Sequence, residues 1–499
     1  MARIATAAWA AAMALAAIGV PVAHAEGDGR VVNTDKGAVS GTVTSTYRTF
    51  GGIPFAAAPV GENRWRDPQP VAPWRGVRDG TLPAPVCAQV PQLGEPASDV
   101  EDCLYLNVVT PAKPSKKPRP VMVWIHGGGF VSNNASQYDA RWLATKNDAV
   151  VVTVNYRLGV FGFFGYPGLP GSGAFGLADQ QAALKWVQRN ARAFGGNARN
   201  VTVFGESAGG LSVCALLASP GAAGLFHQAI IQSGPCGLTA PGEAPGELVP
   251  FWKPRAEVEQ QGVGTLGCQD IACLRGLPVR KLLEVHSAFA TPAFGTRVLP
   301  ISPLEAQNTG RIHRVPTLVG STHDEMNFYA GLILRDPVPD ANYEERAARM
   351  FGAELGAQVV ARYPLDGNGD VRDELAAALT DRSFACPTHE TRQQLGRWTK
   401  VAGYEFAERD VPMIFPDMPP FPGGYGAYHA SELPLLFEFA DVRLTAGQRA
   451  LSEYMVTAWG KFARTGEPAW RAQVQSLAAG AIGPAEFVQD HQCEFWGAQ

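Results

Sequence analysis

The chain has 499 residues, 46% hydrophobic and 18% charged, with a formal net charge of −4. A chain of this length can bury a large core. It has no Lys/Arg-rich run, so nothing in it is suited to nucleic acid or to an anionic membrane surface.

The N-terminus reads as an export leader. "MARIATAAWAAAMALAAIGVPVAHA" carries Arg3, then an apolar run from Ile4 to Val20, then the small-x-small pattern Ala23-His24-Ala25. This predicts a signal peptide over 1–25, cleavage near Ala25, secretion of the mature chain, and one catalytic domain over 26–499. No later segment reaches the roughly 18 uninterrupted apolar residues of a membrane span. The chain has eight cysteines, at 87, 103, 214, 236, 268, 273, 386 and 493. An even count in an exported chain points to disulfides, although their pairing stays open at this level. None forms a C-x-x-C pair, so no structural metal is expected.

Along the chain, buried β-type runs alternate with helical patterns. "RPVMVWIHGGGF" reads as a strand ending in a glycine loop at residues 127–129, and "DAVVVTVNY" as a second strand. "LADQQAALKWVQRNARAFGG" reads as a helix. Asp179 can cap its start, Ala183, Val187, Ala191 and Phe194 share a face, and Gly195-Gly196 stop it. "NVTVFGESAGG" runs strand, sharp turn, helix. "VPTLVG" (315–320) and "VAGYEFA" (401–407) read as strands, and "AGQRALSEYMVTAWGKFARTG" as a long helix. Such alternation predicts an α/β fold, a mostly parallel twisted sheet with helices on both faces and long excursions. "DGNGD" (366–370) has Val371 and Ala377 where a calcium loop needs glycine and glutamate, so it reads as a turn.

Two motifs carry chemistry. Gly205-Glu206-Ser207-Ala208-Gly209 is G-x-S-x-G placed between a buried strand and a helix, the setting that holds a nucleophilic serine outward on a tight turn. Upstream, "HGGGF" (126–130) follows another strand. Glycines there can aim successive amides at one point, which acyl transfer needs for its oxyanion. Gly128 and Gly129, with the amide of Ala208, are the expected donors. The run lacks the lysine of a phosphate-binding loop and the spacing of a dinucleotide fingerprint. "STHDEMN" (321–327) adds a histidine and two carboxylates. A metal reading of it lacks a second ligand cluster.

With these motifs in place, the sequence resembles the type-B carboxylesterase family, the cholinesterase-like branch of the α/β-hydrolases. "TFGGIPFAAAPVGENRWRDPQP", "EDCLYLNVVTP", "WIHGGGF", "VNYRLGVFGF", "FGGNARNVTVFGESAGG", "SGPCG", "STHDEMNF" and "YHASELPLLF" carry the likeness, in order, over nearly the whole mature chain. The resemblance implies the α/β-hydrolase fold and a Ser-Glu-His triad. Histidines after Ser207 are His227, His286, His313, His323, His389, His429 and His491. His429, in "YGAYHASELP", matches the family's histidine loop, and Glu325 its acid position. Asp324 is then a loop-stabilising neighbour and His323 a substitution in a variable slot. His227 is expected on a helix, and His126 in a structural role. Glu206, Ser233 and Glu432 correspond to a polar network beside the triad. Arg64 with Glu101, and Arg157 with Asp179, correspond to paired charges that fix loops. The likeness further implies disulfides Cys87–Cys103, Cys268–Cys273 and Cys386–Cys493, which leaves Cys214 and Cys236 to pair with each other.

The departures are informative. "CAQVPQLGEPASDVEDC" contains no aromatic residue, and "PCGLTA" follows "QSG" without a tryptophan. Cholinesterases use such rings to bind choline and to shape the acyl pocket, so poor choline-ester selectivity is expected. The function implied is hydrolysis of short- to medium-chain carboxylic esters through an acyl-enzyme on Ser207, with a small-molecule ester as substrate, no nucleic acid, and neither metal nor cofactor. Two other readings stay open: a non-catalytic binding protein on the same fold, and an interfacial lipase.

Overall fold

The computed structural model describes residues 29–497. The signal-peptide reading falls outside the described residues. An eleven-stranded sheet organises the chain. Its strands are Thr42–Val43 (β1), Tyr47–Pro54 (β2), Tyr105–Pro111 (β3), Arg119–Ile125 (β4), Val150–Val154 (β5), Gly196–Glu206 (β6), Gln228–Gln232 (β7), Thr317–Thr322 (β8), Val401–Phe406 (β9), Val474–Leu477 (β10) and Gly483–Pro484 (β11). In space they lie in the order β11-β10-β9-β8-β7-β6-β4-β5-β3-β2-β1. From β5 across to β10 every pairing is parallel. The flanking strands pair antiparallel.

Parallel strands are buried on both faces, and the side chains show why. Val121, Val123 and Ile125 of β4 enter one apolar cluster, while Met122 and Trp124 enter another. Val150, Val152 and Val154 of β5 alternate with Val151 in the same way. The first face is covered by helices Phe175–Asn190 (α1) and Ala208–Ala218 (α2), through residues such as Val187 and Leu211. Glu325–Ile333 (α3) and Arg372–Thr380 (α4) follow in an excursion between β8 and β9. Ala446–Thr465 (α5) covers the second face through Leu451, Met455 and Trp459. Each large apolar side chain so buried contributes about 1.5–3 kcal/mol. The start of α5 is closed by a capping box between Thr445 and Gln448, and Gly466 ends it in the left-handed region at φ 70°.

Two local expectations need correction. Asp179 does not cap α1, which begins four residues earlier at Phe175. It lies inside the helix, fully buried, and its carboxylate accepts from Arg157 Nε and Nη2 at 2.7 Å each. The charge therefore serves tertiary pairing instead of a helix end. His227 is not helical either. It sits in a bend just before β7, where its backbone N–H donates to Val201 O at 2.7 Å and its Nδ1 accepts from Val201 N.

The eight cysteines form Cys87–Cys103, Cys214–Cys236, Cys268–Cys273 and Cys386–Cys493. Arg64 clamps Glu101 with two bonds of 2.6 Å and donates to the carbonyls of Arg275 and Leu277. Among the described residues no helix is long and apolar enough to cross a membrane.

Candidate active site

Strand ends and the loops after them build the site. β6 ends at Glu206, and Ser207 follows with φ 58° and ψ −123°, a strained setting for a side-chain-bearing residue. Such strain costs about 1–3 kcal/mol and persists only where the surroundings enforce it. They do so here through close backbone approach. A Cβ on Gly209 would stand 2.0 Å from Ile125 O, and one on Gly205 2.6 Å from the Gly209 carbonyl. Both outer glycines of the motif are required by packing. Ser207 N donates to Gln232 O at 2.9 Å, which ties the turn to the end of β7. The serine is half-buried, so its hydroxyl stays reachable.

The glycine loop after β4 packs directly on this turn. A Cβ on Gly127 would lie 2.7 Å from Glu206 Oε2 and 3.1 Å from Ser207 Cβ. Gly128 and Gly129 adopt φ of 93° and 61°, the left-handed region. No described residue accepts a hydrogen bond from the amides of Gly128, Gly129 or Ala208. His126 is buried with its ring stacked on Tyr156 at 4.5 Å. Burial lowers its pKa to about 4, so it is a neutral wall of the loop.

Glu325 opens α3 immediately after β8 and is fully buried. Its Oε1 accepts from Thr322 N at 2.8 Å, and its Oε2 lies 2.5 Å from His429 Nδ1. Asp324 points elsewhere. Its Oδ2 accepts from Ala427 N at 2.8 Å and its Oδ1 takes Arg409 and His323 at 2.9 Å each. It thus pins the loop that carries His429. Gly426, at φ 59°, makes room for that carboxylate.

On the other side of the imidazole, Glu206 Oε1 lies 3.1 Å from His429 Nε2, without the alignment of a hydrogen bond. Burial raises the pKa of Glu206 against the opposing pull of His429, and the charges of Glu432 and Glu325 raise it further. Burial alone would lower His429, but Glu206 and Glu325 outweigh it and hold the imidazole above its ordinary pKa. Glu432 is buried, and its Oε1 accepts from Gln232 Nε2 at 2.9 Å; Gln232 Oε1 in turn accepts from Trp459 at 3.0 Å. Its pKa too is raised by burial. Ser233 lies buried at φ 48° with its N–H on Gly320 O, but its hydroxyl bonds no described side chain.

Two neighbours of the imidazole escaped the sequence reading. Tyr329, one helical turn after Glu325, stands beside the imidazole, its ring 5.1 Å from that of His429. Phe384 stands 5.3 Å from the same imidazole. The i, i+4 spacing from Glu325 was the available signal for Tyr329. Phe384, on a π-helical turn some sixty residues away in sequence, had none. Surface grooves of about 680 Å³ beside Arg392 and Phe487, and about 660 Å³ beside Arg48 and Arg119, include none of Ser207, Glu325 and His429.

A serine on a tight strand–helix turn, an amide-bearing glycine loop and a buried His–Glu pair at successive strand ends define an α/β-hydrolase site. The carboxylesterase family model matches residues 28–479. Para-nitrobenzyl esterase of Bacillus subtilis is 34% identical over 89% of this chain and 91% of its own. The pyrethroid hydrolase Ces2e of Rattus norvegicus is 34% identical over 87% of this chain and 82% of its own. A solved PNB esterase structure superposes with a TM-score of 0.74 at 31% identity, covering 93% of this chain and 99% of that one. The chain belongs to the carboxylesterase family, and it is a carboxylic ester hydrolase.

Proposed function

We propose that this chain hydrolyses short- to medium-chain carboxylic esters through an acyl-enzyme on Ser207, with His429 as general base and acid and Glu325 as its orienting carboxylate. The contact between Glu325 Oε2 and His429 Nδ1 carries the reading. It fixes the imidazole tautomer, so that Nε2 is the nitrogen that takes the serine proton. In the resting site His429 Nε2 has no aligned partner, the Ser207 hydroxyl included. A rotation of the serine side chain brings the two together as the substrate enters.

Ser207 Oγ then attacks the ester carbonyl while Nε2 takes its proton. The carbonyl oxygen becomes an oxyanion facing the amides of Gly128, Gly129 and Ala208. The imidazolium, stabilised by buried Glu325, returns the proton to the departing alcohol. Water, deprotonated by His429, attacks the acyl-enzyme and releases the acid. Four disulfides support secretion, since such bonds persist in oxidising compartments. In this reading residues 1–25 are a leader removed on export, and residues 26–499 form one domain.

The test is a panel of p-nitrophenyl esters of increasing acyl length, together with esters of bulkier alcohols and a choline ester, run on wild type and Ser207→Ala. The reading expects turnover of the shorter acyl esters, weak choline-ester turnover, and loss of all of it in Ser207→Ala. Unchanged hydrolysis by the variant would reject Ser207. A jump in rate only above the substrate's solubility limit would favour an interfacial lipase.

A further inference from the structure

His323 has no role in the ester chemistry, yet the fold surrounds it with metal-ligating groups. One ligand atom each from His323, Glu405 and His491 lies within 4.8 Å of the other two. The three come from separate parts of the chain: the loop after β8, strand β9, and the C-terminal segment held by Cys386–Cys493. We propose that these residues form a binding site for one zinc ion, tying the acid loop to β9 and the C-terminal segment.

Each histidine already carries the outer partner that zinc-ligating histidines use. His491 Nδ1 lies 2.5 Å from Asp381 Oδ1, and His323 Nδ1 lies 2.9 Å from Asp324 Oδ1. A carboxylate on one ring nitrogen orients the ring and makes the other a better ligand. Asp381 is itself held, its Oδ2 accepting from Tyr363 at 2.7 Å. Two imidazoles and one carboxylate are a donor set zinc favours, with a fourth position left for water.

The metric fit needs a small adjustment. His491 Nε2 and Glu405 Oε1 now share a hydrogen bond of 2.6 Å. Tetrahedral zinc with bonds of about 2.0–2.2 Å sets its ligands roughly 3.4 Å apart, so a turn of the Glu405 carboxylate opens the pair. The ion takes the place of the Nε2 proton, which passes to solvent. Charge balances: Asp381 and Glu405 supply two negative charges against one dication. Arg409 bonds Asp324 Oδ1 at 2.9 Å and approaches His323 Nδ1 at 3.3 Å, so its charge is opposed locally. His491 and Glu405 are buried, and the side chain of His323 is 30% exposed, which gives the ion a way in.

The test uses the full chain without a polyhistidine tag, stripped with a chelator and titrated with Zn²⁺ against a chromophoric competitor. The proposal expects one equivalent bound by wild type, and affinity reduced about tenfold or more in His323→Ala and in Glu405→Gln. Saturating Zn²⁺ should raise the melting temperature of wild type and not of His323→Ala. His323 is partly exposed, so its truncation leaves the fold intact and decides the matter alone. No saturable single equivalent, or wild-type affinity in His323→Ala, overturns the site and leaves His491 as an imidazolium held between two carboxylates.

Discussion

Glu325 Oε2 and His429 Nδ1 lie 2.5 Å apart although 104 residues separate them in the chain. The neighbouring Asp324 takes the same loop from a different side, through Ala427 N. In the proposed mechanism the two adjacent carboxylates divide the work of orienting the base and of placing the loop that carries it.

That division predicts unequal costs. Glu325→Gln keeps the shape but removes the charge that stabilises the imidazolium, so kcat should fall about 10³–10⁴-fold. Asp324→Asn keeps an oxygen for Ala427 N and should cost about tenfold. Steady-state kinetics on a soluble ester measures both. The opposite ranking would move the triad acid to Asp324.

Glu206 predicts a pH effect whose sign is fixed. Its carboxylate raises the pKa of His429, and the imidazole acts as base only when neutral. Replacing Glu206 by Gln removes one of the raising charges, so His429 loses its proton at lower pH. The acid limb of kcat/KM should move down by about one pH unit. An unmoved limb would show that Glu206 does not act on the base.

Asp179→Asn should destabilise the fold by about 3–5 kcal/mol, because it leaves Arg157 buried without a counter-charge. Denaturant unfolding of wild type and variant gives the difference. A loss below about 1 kcal/mol would place the pair with exposed ion pairs.

Gly209→Ala tests the tight turn. Its new Cβ would meet Ile125 O, a backbone atom that cannot swing aside. A cost of about 1–3 kcal/mol is expected, with activity falling as Ser207 is displaced. Retained stability and turnover would show that the turn has slack.

Much of this arrangement was readable along the chain. The alternating apolar residues of β4 and β5 announce strands buried on both faces, because period two is a local property. The elbow and the glycine loop were legible for the same reason, since tight turns need glycine at particular positions. The helix pattern misplaced Asp179 as a cap, because an acidic residue near a helix start usually caps it, whereas the family likeness paired it with Arg157, and that pair is the one formed. His227 misled because an apolar stretch beside a histidine does not distinguish a strand entry from a helix. Tyr329, Phe384 and the convergence of His323 with Glu405 and His491 depend on how distant segments pack, and no local pattern encodes that.

The central claim is that Ser207 is the acylated nucleophile, activated by His429. The most direct measurement is peptide mass analysis after exposure to an organophosphonate ester, on wild type and His429→Ala. A single adduct on the Ser207 peptide, formed in proportion to the loss of esterase activity and slowed about 10³-fold or more in His429→Ala, is the predicted result. An adduct on another residue, or labelling of Ser207 that keeps its rate without His429, would contradict the account.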